Sequence, residues 1–308
     1  MTTTKDALVE CVPNFSEGRR PEVVHEIVAA IERVRGVALL DAESDPDHNR
    51  SVVTFAGPPD PVAEAAFQAA GKALELIDLT RHSGAHPRMG ATDVVPFVPI
   101  RGVEIADCVE LAARVGRRIA EELAIPVYLY ESAATSPERR SLPKIRGAGF
   151  EAVRDGLAKG TAPRPDFGPD RVHPTAGAVA IGARFFLIAY NVYLATDSTA
   201  LAKRIARKLR ESDGGLPAVK ALGIAPGTTG CAQVTMNLTD YRKTSIFRVF
   251  DEIWNLAEAD GVRIAFSEIV GLVPAHALAG DDPERLILRG FTPATQVLER
   301  KLEGMQQR

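Results

Sequence analysis

Gly177-Ala-Val-Ala-Ile-Gly-Ala-Arg-Phe-Phe-Leu-Ile-Ala-Tyr-Asn-Val-Tyr-Leu-Ala195 is the longest apolar run in the chain, and its reading decides the fold. A helix that spans a bilayer takes about 20 apolar residues with few charges. Here Arg184 and Asn191 interrupt the run, while Phe185, Phe186, Ile188, Tyr190, Val192 and Tyr193 favour a pleated strand. We read the run as a buried strand rather than a membrane helix, and take residues 184–195 as the strand that opens a repeat. The elements that follow are a helix over 197–210, strands over 219–224 and 233–238, a helix over 245–259 and a strand over 263–270. That order is β-α-β-β-α-β.

The same order precedes it. A strand over 7–12 leads to a helix opened by Pro21, which places Val24, Ile27, Val28, Ile31 and Val34 on one face. Strands over 37–41 and 51–55 flank the polar turn 44–49. Asp60 caps a second helix with Pro61 at its first position, and a strand follows over 93–99. The repeat predicts an α+β fold of two ferredoxin-like (βαββαβ) α/β-sandwich subdomains, residues 1–183 and 184–308. Between the repeats lie a helix over 105–123, a strand over 127–130 and a connector over 160–177 rich in proline and glycine. Composition leaves that connector open as a linker or as a ligand-contacting loop.

With 37 basic against 40 acidic side chains, the net charge of -3 offers no footprint for nucleic acid or an anionic membrane. Cys11, Cys108 and Cys231 are odd in number, far apart and set in apolar stretches, which predicts buried thiols in a reducing compartment. The first residues carry no apolar stretch of the secretory kind, so a cytoplasmic protein is expected. Gly147-Ala-Gly-Phe-Glu-Ala152 matches a dinucleotide fingerprint formally but lacks the preceding strand, and Gly227-Thr-Thr-Gly230 lacks the lysine of a phosphate loop.

The segment Arg81-His-Ser-Gly-Ala-His-Pro-Arg-Met-Gly-Ala91 is different. His82 and His86 have the spacing of two zinc ligands on a helix, yet Gly84 and Pro87 argue against the helix, and no metal is expected. What is left is a histidine in a loop shaped by turn residues, with Arg81 and Arg88 beside it. Imidazole is matched to proton transfer near neutral pH, and guanidinium groups grip carboxylates. His25, on a helix, His48, in an acidic turn, and His276 gain no comparable support. Asn14 and Ser16, at a strand end, suit a helix-capping turn and a ligand contact equally well.

Taken together, Glu10-Cys-Val-Pro-Asn-Phe-Ser-Glu-Gly18, Asn49-Arg50, the histidine segment, Pro126-Val-Tyr-Leu-Tyr130, Pro165-Asp-Phe-Gly-Pro169 and Val270-Gly-Leu-Val-Pro274 resemble the formiminotransferase family, in order and over essentially the whole chain. The resemblance implies transfer of a formimidoyl group from N-formimidoyl-L-glutamate to tetrahydrofolate, giving 5-formimidoyltetrahydrofolate and glutamate. It makes His86, not His82, the catalytic histidine. It assigns the folate site to Gly168, Pro169, Asp170, Arg171, Val172, His173, Pro174, Thr175, Ala176 and Gly177. It also implies substrates held in a passage between two subdomains. Asp41 or Glu43 would orient the imidazole, and Asn14, Asn49, Arg50 and Arg88 would hold the glutamate carboxylates. Tetrahydrofolate is then the acceptor substrate and no bound cofactor is needed. A homodimer is expected on base rates.

Two features depart from the bifunctional animal members of the family. Their chain continues into a cyclodeaminase domain, so a separate cyclodeaminase is expected here. Where they have an aromatic residue before the glycine, this chain has Pro174-Thr-Ala176. The rival readings are a folate-dependent glutamate formyltransferase, a non-catalytic folate-binding protein, and a metal hydrolase built on His82 and His86.

Overall fold

The computed structural model describes residues 7–84, 87–147, 149–227 and 229–306. The chain divides into two compact units after Arg184. Helices and sheets alternate in both, giving the expected α+β class.

The first unit begins with β1 (Leu8–Cys11) and β2 (Asn14–Phe15), one strand broken where Pro13 has no N–H to give. It continues with α1 (Pro21–Glu32), β3 (Ala38–Asp45), β4 (Arg50–Gly57), α2 (Pro59–Leu76), β5 (Thr92–Arg101), α3 (Ile105–Leu123), β6 (Val127–Glu131), α4 (Leu142–Arg146), α5 (Phe150–Lys159) and β7 (Val179–Ala183). The sheet runs β3-β4-β1/β2-β5-β7-β6, antiparallel as far as β5 and parallel through β7 and β6. In α3 the buried residues Cys108, Leu111, Ala112, Val115 and Ile119 fall three or four apart, on one face. They join Cys11, Val53, Phe55 and Phe97 from the strands in a single core. Residues that alternate with these on the strands, such as Val52 and Thr54, stand on the other face of the sheet and are half-buried.

The second unit comprises β8 (Ile188–Leu194), α6 (Thr199–Leu209), β9 (Val219–Ile224), β10 (Gln233–Leu238), α7 (Ile246–Glu258), β11 (Ile264–Val270), α8 (Pro293–Gln296) and α9 (Leu298–Gln306). Its antiparallel sheet runs β11-β8-β10-β9. Ile188, Tyr190, Val192 and Leu194 are buried while the residues between them are half-buried, the alternation of a strand with one covered face. Ser198 and Ser245 cap α6 and α7 through their hydroxyls.

Several expectations need correction. Residues 177–195 form not one strand but two, β7 in the first sheet and β8 in the second. Arg184 donates its N–H to Phe97 O at 3.0 Å as the first sheet ends. An unbroken apolar run conceals such a break, because both halves are buried. The first sheet also exceeds the four strands expected, since β6 and β7 extend it. Helix α2 starts at Pro59, ahead of the anticipated Asp60 cap, and β3 runs on to Asp45. Cys11 and Cys108 are buried, but Cys231 is half-exposed.

Candidate active site

His86 lies outside the described residues; the chain on both sides of it is described, and each side is held by a different part of the first unit. On the N-terminal side a 3-10 turn (Leu79–Arg81) passes into extended chain at His82. Asn49 organises this side from the β3–β4 turn. Its backbone is left-handed, with φ 50°, a conformation asparagine tolerates better than most residues. Its Oδ1 accepts the Gly18 N–H at 2.9 Å, its Nδ2 donates to Ser83 O at 2.9 Å, and its carbonyl lies 3.0 Å from His82 Nε2. Gly84 is required here because a Cβ would overlap the His48 carbonyl.

On the C-terminal side the hairpin 173–177 is hydrogen-bonded to the histidine loop. Ala178 donates to Met89 O and Ala91 to Ala176 O, both at 2.9 Å, and Gly90 bridges to Gly177. Gly177 has φ 72°, and a Cβ there would collide with Met89 O. Just after β2, Ser16 Oγ donates to Gly90 O at 2.7 Å. From the α4–α5 corner, Phe150 N–H donates to Arg88 O at 2.7 Å, and Glu151 accepts both terminal nitrogens of Arg88 at 3.0 and 3.1 Å. Asp93, only 2% exposed, accepts the Met89 N–H at 2.7 Å through one oxygen and Arg146 at 2.6 Å through the other.

The charges follow from this burial. Loss of solvent lifts the Asp93 carboxyl above its usual range, against the pull of Arg146, the Met89 N–H and Arg50. Burial lowers the Arg50 guanidinium, against the pull of the Asp93 and Asp45 carboxylates and with the push of the Arg146 charge. Burial holds His82 below the ordinary imidazole range, aided by Arg88 and opposed by the Asn49 carbonyl. With the His82 Nε2–H donated to Asn49 O, its Nδ1 carries the lone pair. That Nδ1, Arg88 Nε and Arg146 Nε are buried with no partner among the described residues. His173 has the complementary arrangement. Its Nδ1 accepts the Ala176 N–H at 3.1 Å, leaving the proton on Nε2, and burial again lowers its pKa.

The structure therefore joins Asn49 and the hairpin 173–177 to the histidine loop, of which Arg88 is part, while Asn14 and Arg50 are bonded to each other. Arg50 donates two N–H groups to Asn14 Oδ1. The fork of Arg88, expected to face substrate, is taken by Glu151. Asp41 and Glu43 lie on β3 opposite Thr54 and Val52, and neither makes a hydrogen bond to the loop among the described residues. Of the expected folate segment, Val172 is buried while Arg171 and Pro174 are exposed. Asp170 stands 3.6 Å from Arg164 at the surface. Among the described residues no hydrogen bond joins 168–172 to the histidine loop. Asp93, Arg146 and Glu151 escaped the sequence reading. Asp93 had a signal, as an acid inside the apolar stretch of β5; Arg146 had none.

The lining of one cavity coincides with part of this set. A space of about 600 Å³ on the first unit is bounded by Glu43, Asp45, His48, Arg50 and Val52, among others.

Comparison with known proteins adds the following. A model described as the formiminotransferase domain, N-terminal subdomain, matches residues 8–184, and one described as the formiminotransferase domain matches residues 189–281. The chain is 45% identical over 297 residues to a glutamate formimidoyltransferase of Streptococcus pyogenes, covering 96% of this chain and 99% of that one. It is 47% identical over 299 residues to a glutamate formimidoyltransferase of Thermoplasma acidophilum, covering 96% of this chain and 98% of that one. A formimidoyltransferase-cyclodeaminase of Sus scrofa is 46% identical over 277 residues, which cover 88% of this chain and 51% of that one.

Proposed function

The chain belongs to the formiminotransferase family, and from that premise we propose that it transfers the formimidoyl group of N-formimidoyl-L-glutamate to tetrahydrofolate. The products are 5-formimidoyltetrahydrofolate and L-glutamate. The observation that carries this reading is the joining of the histidine loop to the hairpin 173–177 through Gly90 and Gly177, two segments far apart in sequence to which the family resemblance gives catalytic and folate-binding roles.

The reaction needs N5 of the reduced folate to attack the amidine carbon. The incoming nitrogen must then shed a proton and the departing glutamate nitrogen must gain one. A single imidazole serves as base and then as acid, an effect worth about 10²–10⁴-fold in rate. We assign that role to His86, whose flanking residues are held at Ser83, Met89, Gly90 and Ala91. The acceptor is a substrate, and the proposal includes no bound cofactor or metal. Among the described residues no helix is long and apolar enough to cross a membrane. A cytoplasmic homodimer completes the proposal.

The test is glutamate release from N-formimidoyl-L-glutamate in the presence of tetrahydrofolate. The wild-type chain is expected to turn over. His86→Ala is expected to lose turnover by about 10²-fold or more while binding folate as before. Near-normal turnover in that variant removes His86 from the mechanism.

A further inference from the structure

The β3–β4 hairpin sets one guanidinium, Arg50, and two carboxylates, Glu43 and Asp45, at the wall of a single cavity. In its register Glu43 faces Val52 and Asp45 faces Arg50, so all four side chains stand on the same face of the sheet. Asn14, paired with Val52 from the other side, stands there too. Asp45 is already engaged. Its carboxylate takes the N–H groups of Asp47 and His48 at 2.9 Å and the His48 ring at 2.6 Å. Arg50 is held through Asn14 Oδ1, and among the described residues no carboxylate lies within ion-pair distance of it. The nearby buried carboxylate, Asp93, is paired with Arg146. Glu43 likewise has no hydrogen bond or ion pair among the described residues. Glu43 and Arg50, opposite in charge and each without a contact ion pair among the described residues, thus line a cavity of about 600 Å³, within the size range of small-molecule sites, about 300–1,000 Å³. Glu43 and Arg50 are diagonal neighbours across the hairpin, roughly 7–8 Å apart at the backbone.

The donor substrate carries the same two charges in complementary form. Its glutamate part has carboxylates, and its formimidoyl part is an amidinium, planar and rich in N–H like a guanidinium. A formyl donor keeps the carboxylates but presents a neutral amide oxygen in place of the amidinium N–H. We propose that this cavity is the donor subsite, with Arg50 taking a carboxylate of the glutamate part and Glu43 taking the amidinium, and that Glu43 thereby selects a formimidoyl over a formyl donor. This rests on the transferase reading above. The selection works in both directions: the carboxylate of Glu43 accepts charge-assisted hydrogen bonds from the amidinium and repels a formyl oxygen set in the same place.

The experiment compares kcat/KM for N-formimidoyl- and N-formyl-L-glutamate, each with tetrahydrofolate, in the wild type, Glu43→Gln, Arg50→Met and Arg50→Lys. A charge-assisted hydrogen bond corresponds to roughly 10- to 100-fold in affinity. Glu43→Gln is therefore expected to lower kcat/KM for the formimidoyl donor by that factor and spare the formyl donor, so the ratio falls at least about tenfold. Arg50→Met is expected to weaken both donors alike and leave the ratio within a few-fold, with Arg50→Lys recovering part of the loss for both. Damage to the fold changes both rates and not their ratio. A ratio unchanged in Glu43→Gln, or a wild type that uses both donors equally, overturns the assignment of Glu43. A wild type that transfers neither group overturns the transferase reading itself.

Discussion

Replacing Arg146 with methionine leaves the Asp93 carboxylate buried without its guanidinium, and the cost of that can be bounded from two sides. Asp93 and Arg146 are 3% and 11% exposed at the side chain and meet at 2.6 Å. Unit charges about 4 Å apart interact by about 4 kcal/mol at an effective dielectric of 20. Removing one member of a buried pair costs about 3–5 kcal/mol. The second bound is the escape open to the carboxyl, which is to take up a proton. Starting from an ordinary carboxylate near 3.9, at about 1.4 kcal/mol per pH unit, neutralisation costs at most about 4 kcal/mol at pH 7 and about 1.5 kcal/mol at pH 5. The Met89 N–H and the field of Arg50 still favour the charged form, which brings the expected loss at pH 7 to about 2–4 kcal/mol.

The pH dependence has a definite sign. Burial already raises the Asp93 carboxyl in the folded state, and loss of Arg146 raises it further. A raised acid holds its proton more tightly when folded than when unfolded, so its contribution is most favourable at low pH and is lost as pH rises through the folded pKa. The gap between wild type and Arg146→Met should therefore narrow as pH falls from 7 to 5. The single tryptophan, Trp254, sits on α7 in the second unit, so a probe inside the first unit is the better one. Amide hydrogen exchange across residues 87–101, at several pH values, is such a probe. A gap that stays constant or widens on acidification refutes the reasoning, as does a loss below about 1 kcal/mol at pH 7. In the double variant Asp93→Asn/Arg146→Met the loss should be smaller than the sum of the single losses, because no unpaired charge is left.

Gly177→Ala should cost about 2–4 kcal/mol, from left-handed strain and from overlap with Met89 O, and should lower turnover by freeing the hairpin from the histidine loop. Gly214→Ala, at φ 84° with open space around it, is the control that carries strain alone; equal losses of melting temperature in the two would remove the overlap argument. For His82, a folded pKa below the ordinary imidazole value means the unfolded chain takes up the proton first. Stability attached to His82 is then complete above about pH 6.5 and declines as pH falls below it. Urea unfolding followed by circular dichroism at pH 7.5 and 5.5 should show a larger drop in the wild type than in His82→Gln, and equal drops would contradict the assignment of a buried neutral ring.

What could be read in advance follows from how far apart the interacting residues lie in sequence. The helix α3 and the strand β10 have the bounds expected of them, because period and end signals are local and strong there. The two strands inside residues 177–195 could not be separated. Their common feature is burial, and the break between them is set by which sheet each half joins. The histidine loop stands out in the sequence as a candidate site because Gly84, Pro87 and Gly90 punctuate a polar segment. Its holding groups come from residues some 34 to 87 positions away: Asn49 at the β3–β4 turn, Arg146 on α4 and Gly177 beyond the connector. Arg88 shows why proximity in sequence misleads. Beside His86 it looked like a carboxylate grip for substrate, and Glu151, 63 residues on, takes that grip. Arg50 looked no different in the sequence, yet among the described residues it meets only an amide oxygen. The difference between a guanidinium that clamps the protein and one left to bind an anion is thus decided by whether folding delivers a carboxylate within ion-pair distance: Glu151 reaches the fork of Arg88, and among the described residues none reaches Arg50.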